Sequence, residues 1–199
     1  IFQKLLATRA TDGFAFQLLS AIWRCFNLDE LQPYLTPIFN LILRRLQSNK
    51  KAGPAATGCW AVFVARFSAP ALHAQLEAIQ PNLAAMVLRG VWAEHARTVS
   101  GAMARKTVVI STTRLLLVPE LLASAPDTFL ALLQAAMAIV LTDQSFKGEI
   151  KDDDNAPGNF DEFCGGSSGY SAAYVPLIFA SSGEVDLYPS EHATVAMGN

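Results

Sequence analysis

Between Gly13 and Leu141 apolar residues return at helical spacing, and the stripes they form are separated by short polar breaks carrying Gly and Pro. Phe16, Leu19, Ile22, Trp23 and Phe26 stand at i, i+3, i+6, i+7 and i+10, which predicts a helix over Gly13–Phe26 with that face in the core. Asp12 is placed to cap it. Asp29 and Glu30 supply negative charge where the macrodipole favours it, at the start of a helix predicted over Leu31–Ser48. Leu35, Ile38, Ile42 and Leu46 point inward on that helix, and Asn40, Arg44 and Gln47 fall on another face. Pro33 fits its first turn, while Pro37 removes an internal hydrogen bond and is expected to bend it.

After the break at Lys50, Lys51, Gly53 and Pro54, the same periodicity predicts helices over Ala55–Phe67 and Ala69–Ile79. Pro81 opens a further helix to about Ala96, with Leu83, Val87, Val91 and Glu94 at helical spacing. Gly101 marks a break, a helix over Met103–Val118 follows, and Pro119 stops it. The partner of that helix starts at Ser124 or Asp127 and ends near Leu141.

The middles of the three leading helices, Leu19, Val62 and Ile110, are 43 and 48 residues apart. Tetratricopeptide and ankyrin units repeat at about 33 to 34 residues, whereas armadillo and HEAT units run at about 40 to 47. The reading is therefore all-α: residues 1–141 form a HEAT-repeat α-solenoid, a right-handed superhelix of antiparallel helix pairs. A charged fraction of only 16% beside 52% hydrophobic residues means that much of its surface is meant to be covered.

Beyond Leu141 the character changes. Residues 142–168 are an acidic stretch rich in Gly, Asn and Ser with isolated Phe146, Phe160 and Phe163, residues 169–180 predict one more helix (Tyr170–Ala180), and 181–199 are expected to be a disordered tail. The net charge of −2 hides this division. Residues 1–141 carry 13 Lys and Arg against 7 Asp and Glu, a net of +6, and residues 142–199 carry 2 against 10, a net of −8. Such segregation suggests an acidic flap that meets a basic face of the same or another protein; a solvated acidic loop is the plain alternative.

Catalytic and ligand chemistry find little support. Gly165–Gly169 reads G-G-S-S-G and satisfies the nucleophile-elbow pattern, but no strand precedes Ser167 and no βα alternation surrounds it. His73, His95 and His192 are scattered, and Asp152, Asp153 and Asp154 lack the alternating oxygen ligands of a calcium loop. No catalytic residue, cofactor site or metal site is assigned, and no enzyme is expected. The pairs Arg44-Arg45 and Lys50-Lys51 bracket a helix C-terminus, where cations are favourable in their own right, and aromatics do not interleave with them as nucleic-acid binding requires. The longest apolar run, Phe129–Leu141, has 13 residues against the roughly 20 of a membrane span, so no membrane insertion is expected. Cys25, Cys59 and Cys164 form no C-x-x-C and read as free thiols of a reducing compartment. The opening Ile1–Arg9 reads as the end of a helix already under way, and the chain is expected to be a fragment of a longer protein.

Particular phrases add to the periodicity. Ile38–Lys50 (IFNLILRRLQSNK), Ile79–Gly90 (IQPNLAAMVLRG), Thr98–Lys106 (TVSGAMARK) and Thr112–Leu116 (TTRLL) resemble, in order and spacing, the C-terminal repeats of the CAS exportins, the importin-α re-exporters of the karyopherin-β family. The opening FQKLLATRATDGFAFQLLSAI and the late SGYSAAYVPLIFA look like the corresponding segments, so the resemblance covers about residues 1–180. Cys164–Gly169 is more glycine-rich than the family pattern, and the chain departs from it after Ala180.

The resemblance implies a nuclear export receptor that binds importin-α together with Ran in its GTP form, passes nuclear pore proteins and shuttles between nucleus and cytoplasm. Ran binding in that family leans on N-terminal repeats, which this chain lacks. On the second helices of the repeats, which line the concave face of such a solenoid, Asn40, Arg44, Gln47, Arg89 and Arg97 are the candidate partner contacts. For each of them an ordinary solvated position is the plain alternative. The competing function is a HEAT scaffold of an unrelated assembly, which binds its partners without Ran.

Overall fold

The computed structural model describes residues 1–142. The acidic stretch, the helix expected over 169–180, the tail after 181, Cys164, Ser167 and His192 lie outside the described residues. Within them the chain is helical throughout, in the order α1 (Phe2–Leu5), α2 (Asp12–Cys25), α3 (Leu28–Ser48), α4 (Gly53–Arg66), α5 (Ala69–Ile79), α6 (Leu83–Val87), α7 (Ala102–Leu116), α8 (Pro119–Ser124) and α9 (Pro126–Thr142). A π-helical segment over Leu88–Ala93 continues α6, and 3-10 turns occupy Arg9–Thr11, Lys50–Ala52 and Ala96–Thr98.

The leading helices stack side by side, with α4 between α2 and α7, and the second layer runs α3, α5, α6 with its π segment, and α9. This is the HEAT-type all-α solenoid, with its units in the register set by Leu19, Val62 and Ile110. Position in the stack explains the sequence of α4: Ala56, Cys59, Trp60, Ala61, Val62, Phe63 and Val64 are all buried, because neighbours cover the helix on nearly every side. Trp23, Trp60 and Trp92 are each fully buried, so the tryptophans mark the core of the stack. Phe63 is its hub, in edge contact with Trp23 at 5.1 Å, Phe39 at 5.5 Å and Phe67 at 4.9 Å between ring centres.

Several expectations need correcting. Helix α3 starts at Leu28 rather than Leu31: the Asn27 amide donates to the Glu30 carboxylate at 2.8 Å, so Glu30 closes the first turn as half of a capping box. Its deepest residues are Leu31, Leu35, Phe39 and Ile42, and Ile38 and Leu46 are only partly buried. Phe26, expected in the core, is 47% exposed, because α2 has already ended at Cys25. Both Pro33 and Pro37 sit on the exposed side of an uninterrupted α3, where water can take the carbonyls that lose their donors.

Pro81 does not open α6. The amides of Asn82 and Ala84 donate to the Glu77 carboxylate at 2.8 and 3.0 Å, so a side chain from α5 satisfies the start of the next helix. Pro119 likewise begins a helix, α8, rather than merely ending α7, which stops at Leu116. Gly101 turns the chain into α7 at φ 93°, a conformation that favours glycine.

Candidate partner interface

Among the described residues no group of three or more His, Cys, Asp or Glu side chains could hold a metal ion, and no helix is long and apolar enough to cross a membrane. The chemistry on offer is that of surfaces. Asn40, Arg44 and Gln47 follow one another at i, i+4 and i+7 and therefore share one face of α3, with Asn40 half-buried and the other two exposed. Arg89 lies on the π segment and is exposed, 3.6 Å from Asp127 at the start of α9. Arg97, also exposed, occupies the 3-10 turn after that segment. The five candidates thus fall into one triad on α3 and two separate cations on the next repeat.

The neighbouring Arg45 has a different fate from Arg44. Its guanidinium grips Asp12 with two parallel bonds, Nε to Oδ1 at 2.8 Å and Nη2 to Oδ2 at 2.9 Å, and the Asn49 amide donates to Oδ2 at 2.9 Å. The side chains of Arg45 and Asp12 are 14% and 8% exposed. Asp12 is therefore the first residue of α2 and a clamp onto the C-terminus of α3, not a cap; Thr11 holds the capping position. Sequence spacing offers no sign of this, since 33 residues separate the partners. The one available hint was an Asp at a helix start facing an Arg-Arg pair at the end of its antiparallel neighbour.

Other polar groups knit the layers. Trp23 Nε1 donates to Cys59 Sγ at 3.3 Å, Trp92 Nε1 to Thr112 Oγ1 at 2.9 Å, and Ser111 Oγ to the Ala61 carbonyl at 2.9 Å across α7 and α4. Cys59 is buried and Cys25 exposed, both as free thiols. Burial pushes the Cys59 thiol up to about 11, with the hydrogen bonds from Ser20 and Trp23 opposing the shift.

A cleft of about 510 Å³ opens over α4 between α2 and α7. From α4 it is lined by the half-buried Pro54, Ala55 and Gly58 and the buried Cys59 and Val62, an apolar strip of small residues. Ser20 and Arg24 stand on one wall, Met103 and Thr107 on the other, Lys51 also lines it, and Thr98–Ser100 bound it beside the α7 start. Its lining contains two cations and no carboxylate.

A family model described as the CAS/CSE protein C-terminus matches residues 1–195, which carries the match past Ala180, where the sequence phrases faded. Exportin-2 of Xenopus laevis is 29% identical over 192 residues, Exportin-2 of Pagrus major 30% over 194, and Exportin-2 of Homo sapiens 28% over 194. Each alignment covers 94% of this chain and 19% of the relative, so the chain spans about a fifth of the length of these proteins. No solved structure matches the chain.

Proposed function

The chain belongs to the CAS/CSE family, as its C-terminal region, and from that premise we propose that it is part of a nuclear export receptor which binds importin-α together with Ran-GTP and carries it from nucleus to cytoplasm. The match over residues 1–195 is the observation that carries this reading. The fold supports it physically. A stack in which each repeat touches only its neighbours can flex and present a long inner face, and partner recognition is spread over several helices instead of gathered in one pocket. The receptor works by wrapping and releasing, without a catalytic residue.

The triad Asn40, Arg44 and Gln47, with Arg89 and Arg97, contributes polar contacts to importin-α, while Ran is held mainly by repeats outside this chain. Nuclear pore proteins admit the receptor, loaded on the way out and emptied on the way back. The test is retention of importin-α by the full-length protein in the presence of Ran loaded with a non-hydrolysable GTP analogue. Ran-dependent retention is expected, and the combined Arg44→Glu and Gln47→Glu variant should weaken it several-fold. Retention without Ran would favour a general scaffold, and no retention at all would refute the assignment.

A further inference from the structure

We propose that the acidic, aromatic stretch Asp152–Phe163 of this same chain seats in the cleft between α2, α4 and α7, its carboxylates against Arg24 and Lys51 and its phenylalanines over the Pro54–Ala55–Gly58 floor. The chemistry of the cleft selects such an occupant. It pairs an apolar, small-residue floor with two exposed cations and lacks any carboxylate to repel an anionic segment. Asp152, Asp153, Asp154, Asp161 and Glu162 interleaved with Phe160 and Phe163 match both features, whereas a purely charged segment would leave the floor uncovered.

Topology brings the segment to the site. Helix α9 starts beside α6, where Thr128 Oγ1 donates to the Ala85 carbonyl at 3.4 Å and Asp127 faces Arg89, and then packs along the π segment to the Ala96–Thr98 turn. It therefore ends at the turn that leads directly into Thr98–Ser100, the residues bounding the cleft. The acidic stretch follows Thr142, the last residue of α9, directly in the sequence. The residues from Asp143 to Asp152 can span about 30 Å when extended, against a length of about 22 Å for a helix the size of α7. Attachment also raises the local concentration of the segment to the millimolar range, so individually weak exposed ion pairs suffice.

The full 199-residue chain tests this in two ways. Carbodiimide coupling at low protein concentration should join Lys51 to the peptide containing Asp152–Glu162 within a single chain, as mapped by mass spectrometry. Cross-linked dimers in its place, or no such product, would overturn docking within the chain. In the second test, a fluorescent peptide of residues 149–163 is titrated by anisotropy into the chain and into a variant with Asp152, Asp153, Asp154, Asp161 and Glu162 changed to amides. The peptide should bind the neutralised variant at least tenfold more tightly, because the native segment no longer competes. Adding Arg24→Glu and Lys51→Glu should abolish that binding, with the circular dichroism unchanged since both side chains are exposed. Equal binding to both chains would show an open cleft that serves an acidic partner from outside, and binding that survives the charge reversals would show that the peptide sits elsewhere; either result overturns the proposal.

Discussion

Replacing Asp12 tests whether a buried clamp or an ordinary cap holds the first repeat. Asp12→Ala leaves the Arg45 guanidinium, 14% exposed, without two charge-assisted bonds and leaves the Asn49 amide without its acceptor. Breaking a buried pair from one side costs about 3–5 kcal/mol. The residual exposure of Arg45 places the loss near the lower end, about 3 kcal/mol. With a urea slope near 2 kcal/mol per M, the unfolding midpoint of the 199-residue chain should fall by about 1.5 M. Asp12→Ser separates the two readings, because serine caps a helix about as well as aspartate but cannot hold a guanidinium. The clamp predicts a loss for Asp12→Ser close to that for Asp12→Ala, with amide exchange accelerating in α2 and α3 before other helices. Arg45→Met combined with Asp12→Ala should cost little more than either change alone, a coupling of about 2 kcal/mol. A serine variant within 0.5 kcal/mol of the parent, or strictly additive losses, would refute the clamp.

Further outcomes follow from the same packing. Phe63→Ala should lower the unfolding free energy by about 3–5 kcal/mol and Phe63→Leu by much less, since the ring is fully buried among Trp23, Phe39 and Phe67; an alanine cost under 1 kcal/mol would mean the aromatic hub can collapse. Gly53→Ala drives a methyl onto the His95 ring and should destabilise by about 1 kcal/mol or more, with part of the loss recovered when His95→Ala is added; no recovery would put the cost in the backbone. Iodoacetamide at pH 8 should modify Cys25 in the folded chain and spare Cys59 until it unfolds, as read by peptide mass mapping. The Cys59 thiol keeps its proton to about pH 11 in the native state but releases it near 9.0 when unfolded, so its contribution is intact below pH 9 and falls by about 2–3 kcal/mol as the pH climbs to 11. Equal pH slopes for the parent and Cys59→Ala over pH 9–10.5 would contradict that shift.

Much of the fold was legible in advance because helical amphipathicity is a local signal. The stripes of α2, α3 and α7 each repeat within a few residues, and their spacing counts the units. Errors fell where a second element decides. Phe26 obeys the period of α2 yet lies past its end, and Phe39 looks like one more apolar residue until Trp60 and Phe63 are brought against it. Glu77 was unreadable as the cap of α6 because it belongs to the preceding helix. The candidate face was legible in part: helical periodicity puts Asn40, Arg44 and Gln47 together, but nothing local relates them to Arg89 or Arg97.

What the chain determines by itself is its longer helices, α2 to α5, α7 and α9, the HEAT-type repeat and, through phrases kept in order, its family. Tertiary structure alone decides which of two adjacent arginines is spent on a clamp, because Arg45 faces Asp12 only once α2 and α3 fold back on each other. It alone opens the cationic cleft, because Arg24 of α2 and Lys51 before α4 line one space only once α2, α4 and α7 lie side by side. Periodicity is a property of neighbours a few residues apart. Clamps and clefts belong to residues that 30 to 90 positions of chain must first bring together.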